Sequence, residues 1–199
     1  MTTAPLFSNE TRRLLNRWST ERRERWRKAG RLWSFTCRAV PYGVAPSDAD
    51  LRTYGKGVRY GAFTPGVLDE AVNGTHPAPV CAWHGHYGAE QIQPPEYGRV
   101  TGYWDTPVAL YLEAFTCLPV QVGQTVSISV QGTRGEWASP DGIVTEVAQL
   151  VELSLCSDPG VPTVGAMPGA EVLSVTELTG PQVASIKAEV SLIKAGAGK

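Results

Sequence analysis

The chain has 199 residues, 42% of them hydrophobic, which suits one ordinary domain, or one domain plus an arm, with a real core. No apolar run approaches the ~18 residues that span a bilayer, and no apolar stretch followed by a small-residue cleavage site opens the chain, so neither a membrane span nor a secretory signal is expected. The formal charge of −1 hides an asymmetry: residues 1–31 carry nine Lys/Arg and three Asp/Glu, a net of +6, whereas the remainder carries nine and sixteen, a net of −7. This is a basic arm on an acidic body. With 21 glycines and 15 prolines, the composition favours short strands joined by turns.

In chain order, residues 10–29 have a thin apolar stripe (Leu14, Leu15, Trp18, Trp26) among many arginines. The stripe predicts an amphipathic helix that Gly30 ends. Such a helix either docks on a partner or nucleic acid or packs on its own domain. Residues 31–42 read as a strand, and residues 43–57 as a loop. Thr64 and Pro65 open a short helix reaching about Val72. A buried strand follows at 79–86 and ends in His84 and His86. Residues 97–104 and 108–116 form a hairpin around Asp105-Thr106-Pro107. In 123–130, Val126, Ile128 and Val130 face one side and Ser127 and Ser129 the other. The β-branched run 143–157 predicts one or two strands, and residues 181–194 a terminal helix. The expected fold is mainly β with peripheral helices (α+β), built on six or seven strands. The expected organisation is an arm at 1–31, a β domain at 32–170 and a helical C-terminal segment at 171–199.

Four cysteines, Cys37, Cys81, Cys117 and Cys156, lie far apart in apolar runs with no CxxC spacing. They read as reduced core residues of a cytosolic protein. No metal-ligand cluster and no cofactor motif is evident, so neither a metal nor a cofactor is expected. A serine nucleophile needs a base and a third group to orient that base. With three histidines in the chain the bases are few. His76 precedes Pro77 in a loop, while His84 and His86 sit two apart at a strand end. Glu152 lies within an apolar strand, where a carboxylate needs a partner. Ser127, His84 or His86, and Glu152 are therefore the candidate triad; a structural salt bridge or an exposed edge position would also account for Glu152.

Several stretches, in order, resemble the tailed-phage prohead (capsid maturation) serine proteases, a family similar in fold to the herpesvirus assemblins. They are SFTCRAVPYGV at 34–44, RYGAFTPGVL at 59–68, PVCAWHGH at 79–86 with YGRV at 97–100, GQTVSISV at 123–130 and LVELSLCSDPGVPTVGA at 150–166. The likeness covers about residues 33–165, two thirds of the chain. It implies a closed or partly closed β-barrel. It places the nucleophile on Ser127 and the base on His86 or His84, with His86 slightly favoured by register. The third triad member of the assemblins falls on Glu152.

The chain departs from the family pattern at three positions. Gly85 or Tyr87 stands where an Asp follows the family's histidine, and Thr125 and Ser129 stand at two glycine positions. The resemblance implies an endopeptidase packaged inside a procapsid in the bacterial host cytoplasm, cleaving scaffold, the N-terminal segment of the major capsid protein, and itself. The alternative is a catalytically inactive protease fold used as a structural or decoration component of the capsid. Assemblin relatives gain activity on dimerising, so a homodimer belongs among the expected partners. DNA contact through the arm ranks last, because the body is acidic and lacks an aromatic–basic platform. No membrane partner is expected.

Overall fold

The computed structural model describes residues 24–44, 62–63, 65–66, 78–82, 96–132, 143–144, 148–157 and 166–196. Its strands are β1 (Trp33–Pro41), β2 (Ala62–Phe63), β3 (Pro79–Ala82), β4 (Gly98–Asp105), β5 (Ala109–Thr116), β6 (Thr125–Gly132), β7 (Ile143–Val144), β8 (Ala148–Ser157) and β9 (Glu171–Glu177). A helix, α1 (Gly180–Gly196), follows. Seven strands close a barrel in the order β1-β5-β4-β3-β8-β6-β9, while β2 and β7 pair separately. Only β3–β8 is parallel among the barrel pairs; the rest are antiparallel. The mainly β, closed-barrel expectation is met.

Alternation builds the interior. Phe35 and Cys37 from β1, Leu110 and Leu112 from β5, and Leu153 and Leu155 from β8 meet in one core. Val126 joins them and Ile128 packs against them, as the pattern of β6 predicts. Closure needs curvature, and bulges supply it. Single unpaired residues interrupt the ladders at Ala39 (β1), Thr101 (β4), Val151 and Cys156 (β8) and Leu173 (β9).

The β4–β5 hairpin is tied by Thr106. Its Oγ1 accepts the amides of Val108 and Ala109 at 3.3 and 3.1 Å and donates to the Ala109 carbonyl at 2.7 Å. Asp105, beside it, accepts the Tyr42 hydroxyl and the Gly66 amide, both at 2.6 Å. The start of α1 follows from T-x-x-Q. Gln182 Oε1 accepts from both the amide and the hydroxyl of Thr179 at 2.8 Å, so the glutamine reaches back to the cap residue.

Three expectations change. Residues 171–177, assigned above to the C-terminal helical segment, are strand β9, which closes the barrel between β1 and β6. The helix expected over 10–29 ends differently: Glu24 makes a β-bridge to Glu96, and Arg25–Lys28 is a 3₁₀ turn. Residues 10–23 lie outside the described residues. Of the helix expected to start at Thr64, Pro65 and Gly66 form a turn and the remainder is likewise outside.

The described end of the arm packs on its own barrel. Trp26 is fully buried with Leu32, Phe115 and Val183 in a second cluster. It meets Phe115 edge-on, with centroids 5.1 Å apart and planes at 76°. Lys187 of α1 donates to the Ala29 carbonyl at 2.8 Å, so the two terminal segments are also joined to each other.

Candidate active site

Strand β8 lies between β3 and β6, and its register decides which side chains meet. Leu153 and Leu155 point into the barrel, so Glu152 and Ser154 lie on its outer face. Ser127 stands opposite Ser154, and Ser129 opposite Glu152. On the other side Cys81 of β3 is the partner of Ser154. Cys81, Ser154 and Ser127 therefore form one row across three strands, with Glu152 and Ser129 in the next. The two bulges of β8, at Cys156 and Val151, bracket the residues that carry this register.

The face is not solvated. Ser127 is 4% exposed, Glu152 1% and Ser154 0%. Ser127 is therefore not an ordinary solvent-facing serine, and the position of β8 inside the sheet removes the exposed-edge explanation of Glu152. The Glu152 carboxylate accepts the Ser154 hydroxyl at 3.0 Å and the Ser129 hydroxyl at 3.3 Å, both on Oε1. Ser127 and Glu152, 25 residues apart in sequence, come to diagonal positions on adjacent strands. Such positions lie roughly 7–8 Å apart, close enough for one imidazole to bridge them.

The thiols of this face are silenced. Burial, then the Glu152 charge and then that of Glu96, push the Cys81 thiol up. Burial and then Glu152 push Cys156 up to about 12. Both stay protonated at neutral pH and are poor nucleophiles. The serine hydroxyls are thus the nucleophile candidates here.

A second buried carboxylate borders the site. Glu96 is 1% exposed and paired with Arg99, which also lies 3.6 Å from Glu24. The arm's Arg25 amide donates to the Glu96 carbonyl at 3.0 Å, so the arm is anchored at the edge of this polar face.

His84 and His86, the two candidate bases, lie outside the described residues, as does His76. Sequence reasoning brought out Ser127 and Glu152 but passed over Ser154, Cys81 and Glu96. The i,i+2 spacing of Glu152 with Ser154, mirrored by Ser127 with Ser129, was the available signal: polar residues repeating every second position of an apolar strand.

The chain matches no known protein-family model and no curated protein. Among the described residues no group of three or more His, Cys, Asp or Glu side chains is arranged to hold a metal ion. None of the described helices is long and apolar enough to cross a membrane.

Proposed function

We propose that the chain is a serine endopeptidase of the capsid-maturation kind. Ser127 is the nucleophile, His86 or His84 the base, and Glu152 the group that orients the base and stabilises its cation. The observation that carries this reading is the convergence of Ser127 and Glu152 on one buried face, diagonal to each other, beside the strand that leads to both histidines. His84 and His86 follow Ala82 by two and four residues. At about 3.3–3.6 Å per residue, the covalent chain keeps their Cα atoms within about 7 and 14 Å of it. Cys81 is two strand spacings from Ser127, about 10 Å, a separation that this length of chain is able to span.

In the mechanism, Ser127 Oγ attacks the scissile carbonyl carbon while its proton passes to the imidazole. The oxyanion is held by backbone amides next to Ser127 or in residues 132–142. The imidazolium then protonates the leaving amine, and an ester on Ser127 remains for water to hydrolyse. Substrates, on this reading, are scaffold or the N-terminal segment of the capsid protein, and the chain itself, inside the procapsid.

A second reading keeps the fold without the reaction: a structural or decoration component of the capsid. It is favoured by the 4% exposure of Ser127.

The test is intact mass over time, for wild type beside Ser127→Ala, with and without capsid protein, and after diisopropyl fluorophosphate. The protease reading expects wild-type cleavage and one phosphoryl adduct on Ser127. In Ser127→Ala cleavage falls by about 10⁴- to 10⁶-fold, roughly 5–8 kcal/mol of transition-state stabilisation. Near-normal cleavage by Ser127→Ala refutes it. Full-length, unmodified chains throughout favour the shell component.

A further inference from the structure

We infer that Ser154 is a positioning residue: its hydroxyl fixes the Glu152 carboxylate by Oε1, so that the orienting bond to the catalytic imidazole forms at Oε2. The inference rests on the serine-endopeptidase reading and extends it to a residue that the candidate triad does not contain.

A glutamate side chain has three rotatable bonds, so burial alone leaves the plane of its carboxylate undetermined. Orientation must come from donors. Ser154 supplies the shorter of the two hydroxyl contacts, at 3.0 Å against 3.3 Å from Ser129, and is itself 0% exposed, so water does not compete for its hydroxyl. In a buried setting a hydrogen bond to a charged acceptor is among the stronger kinds. Two hydroxyls on Oε1 occupy the two lone-pair directions of that oxygen. A further strong donor, such as an imidazole N–H, is thereby directed to Oε2.

The surroundings restrict the carboxylate from two strands. Ser129 approaches from β6 and Ser154 from β8, and Cys81 of β3 stands beside Ser154 in register. Among the described residues, the charges that bear on Cys81 of this face besides Glu152 are Glu96 and Arg99, which pair with each other. The backbone is equally constrained, because the bulges at Val151 and Cys156 flank the segment that carries both residues. Ser154 is also the central member of the row joining Cys81 to Ser127. A hydroxyl at this position thus faces the nucleophile's strand on one side and the strand leading to the histidines on the other.

A structural role, in which Ser154 only satisfies a buried carboxylate, makes a different prediction. Removing the hydroxyl would then lower stability without changing how Glu152 serves the reaction. Positioning requires that the effect on rate pass through Glu152.

The experiment measures the rate of phosphorylation of Ser127 by diisopropyl fluorophosphate, followed by intact mass on the full chain. Serine Oγ attacks phosphorus, fluoride leaves, and the proton goes to the base, so the probe reads activation of the nucleophile without a known peptide substrate. Four proteins form a cycle: wild type, Ser154→Ala, Glu152→Met and the double variant. Ser154→Ala is expected to slow the reaction by about 10- to 100-fold, the worth of one hydrogen bond to a charged group. In the Glu152→Met background the same change is expected to alter the rate by less than about twofold, because the group it acts through is gone. Ser154→Thr, which keeps the hydroxyl, restores most of the rate; if that variant does not fold, the cycle decides alone.

A Ser154→Ala rate within about twofold of wild type overturns the inference. So does an equal slowing in both backgrounds. If wild type and Ser127→Ala are both unmodified, the serine-protease reading falls and the inference falls with it. If wild type is modified at Ser127 and Glu152→Met is slow while Ser154→Ala matches wild type, the inference alone fails.

Discussion

Replacing Trp26 by alanine tests whether the end of the basic arm is part of the folded body. The indole is 0% exposed and packs against Leu32, Phe115 and Val183. A buried tryptophan removes ~150–250 Å² from water, worth about 4–6 kcal/mol at ~25 cal/mol per Å². Allowing for surface already hidden in the unfolded chain lowers that to roughly 3–5 kcal/mol. One term opposes it. Among the described residues the indole Nε1 meets no acceptor, and a buried donor without one costs about 1–3 kcal/mol. The expected destabilisation for Trp26→Ala is therefore about 2 kcal/mol. Trp26→Phe keeps a ring against Phe115 and deletes the unsatisfied N–H, so it costs no more than about 1 kcal/mol. Urea denaturation followed by far-ultraviolet circular dichroism measures both, provided the m-value is unchanged. A loss below ~1 kcal/mol for the alanine variant would mean that the arm is not seated on the barrel, and the burial argument would be wrong.

Gly98→Ala is expected to be far more damaging than its size suggests, because a Cβ there would sit 1.7 Å from the Phe115 carbonyl oxygen. Loss of more than ~4 kcal/mol, or about 10 °C in Tm, is expected, whereas Gly30→Ala, with nothing within 4 Å, leaves Tm nearly unchanged. The thiols give a pH signature: burial pushes Cys37 and Cys156 up to about 12, so between about pH 9 and 12 the unfolded chain has lost protons that the folded chain keeps. Stability is full below the unfolded value and falls as pH rises, by up to about 1.4 kcal/mol per pH unit for each thiol. Urea midpoints in reducing buffer at rising pH should show this, with a shallower slope in Cys156→Ala; equal slopes would rule out burial of that thiol as the cause. Finally, Glu152→Met removes a buried charge but leaves the Ser154 and Ser129 hydroxyls without this acceptor, so stability is expected to change by no more than about 2 kcal/mol while Ser127 phosphorylation falls. A stability loss beyond ~3 kcal/mol would mark Glu152 as structural.

Much of the barrel was legible because its strands obey a simple period. The first strand, the hairpin around Asp105 and the Ser127 strand all alternate cleanly, and T-x-x-Q marks the start of the last helix. Strand β9 was missed for a physical reason. The extra residue Leu173 shifts the phase, so Val172 and Val175, three apart, both pack toward the core and the period of two is lost. The end of the arm departs from a helix because the Glu24–Glu96 bridge and burial of Trp26 outweigh the local helical pattern. At the site, Ser127 and Glu152 could be picked out as polar residues on apolar strands. Their pairing could not, because it depends on two bulges in β8 that set the register.

The strands β3, β8 and β6 are buried on both faces over the stretch that carries the site, and this bears on which reading of the fold is right. Their inner face does what a barrel requires, with Val80, Leu153, Leu155 and Val126 fully or almost fully buried. The outer face is nearly as dry but holds three serines, a thiol and a carboxylate in adjoining rows. A buried face selected for stability alone favours apolar side chains, because each polar group taken from water must find a partner and each charge several. Ordering those partners also spends side-chain entropy. The fold nonetheless spends two strand positions, Ser129 and Ser154, on donors to one carboxylate. The carboxylate in turn sits diagonal to a serine and beside the strand that runs to the histidines. A structural component of a shell needs the barrel but has no use for an oriented charge at this spot. An enzyme that must stabilise a transient imidazolium does, and this is why the hydrolytic reading ranks above the structural one.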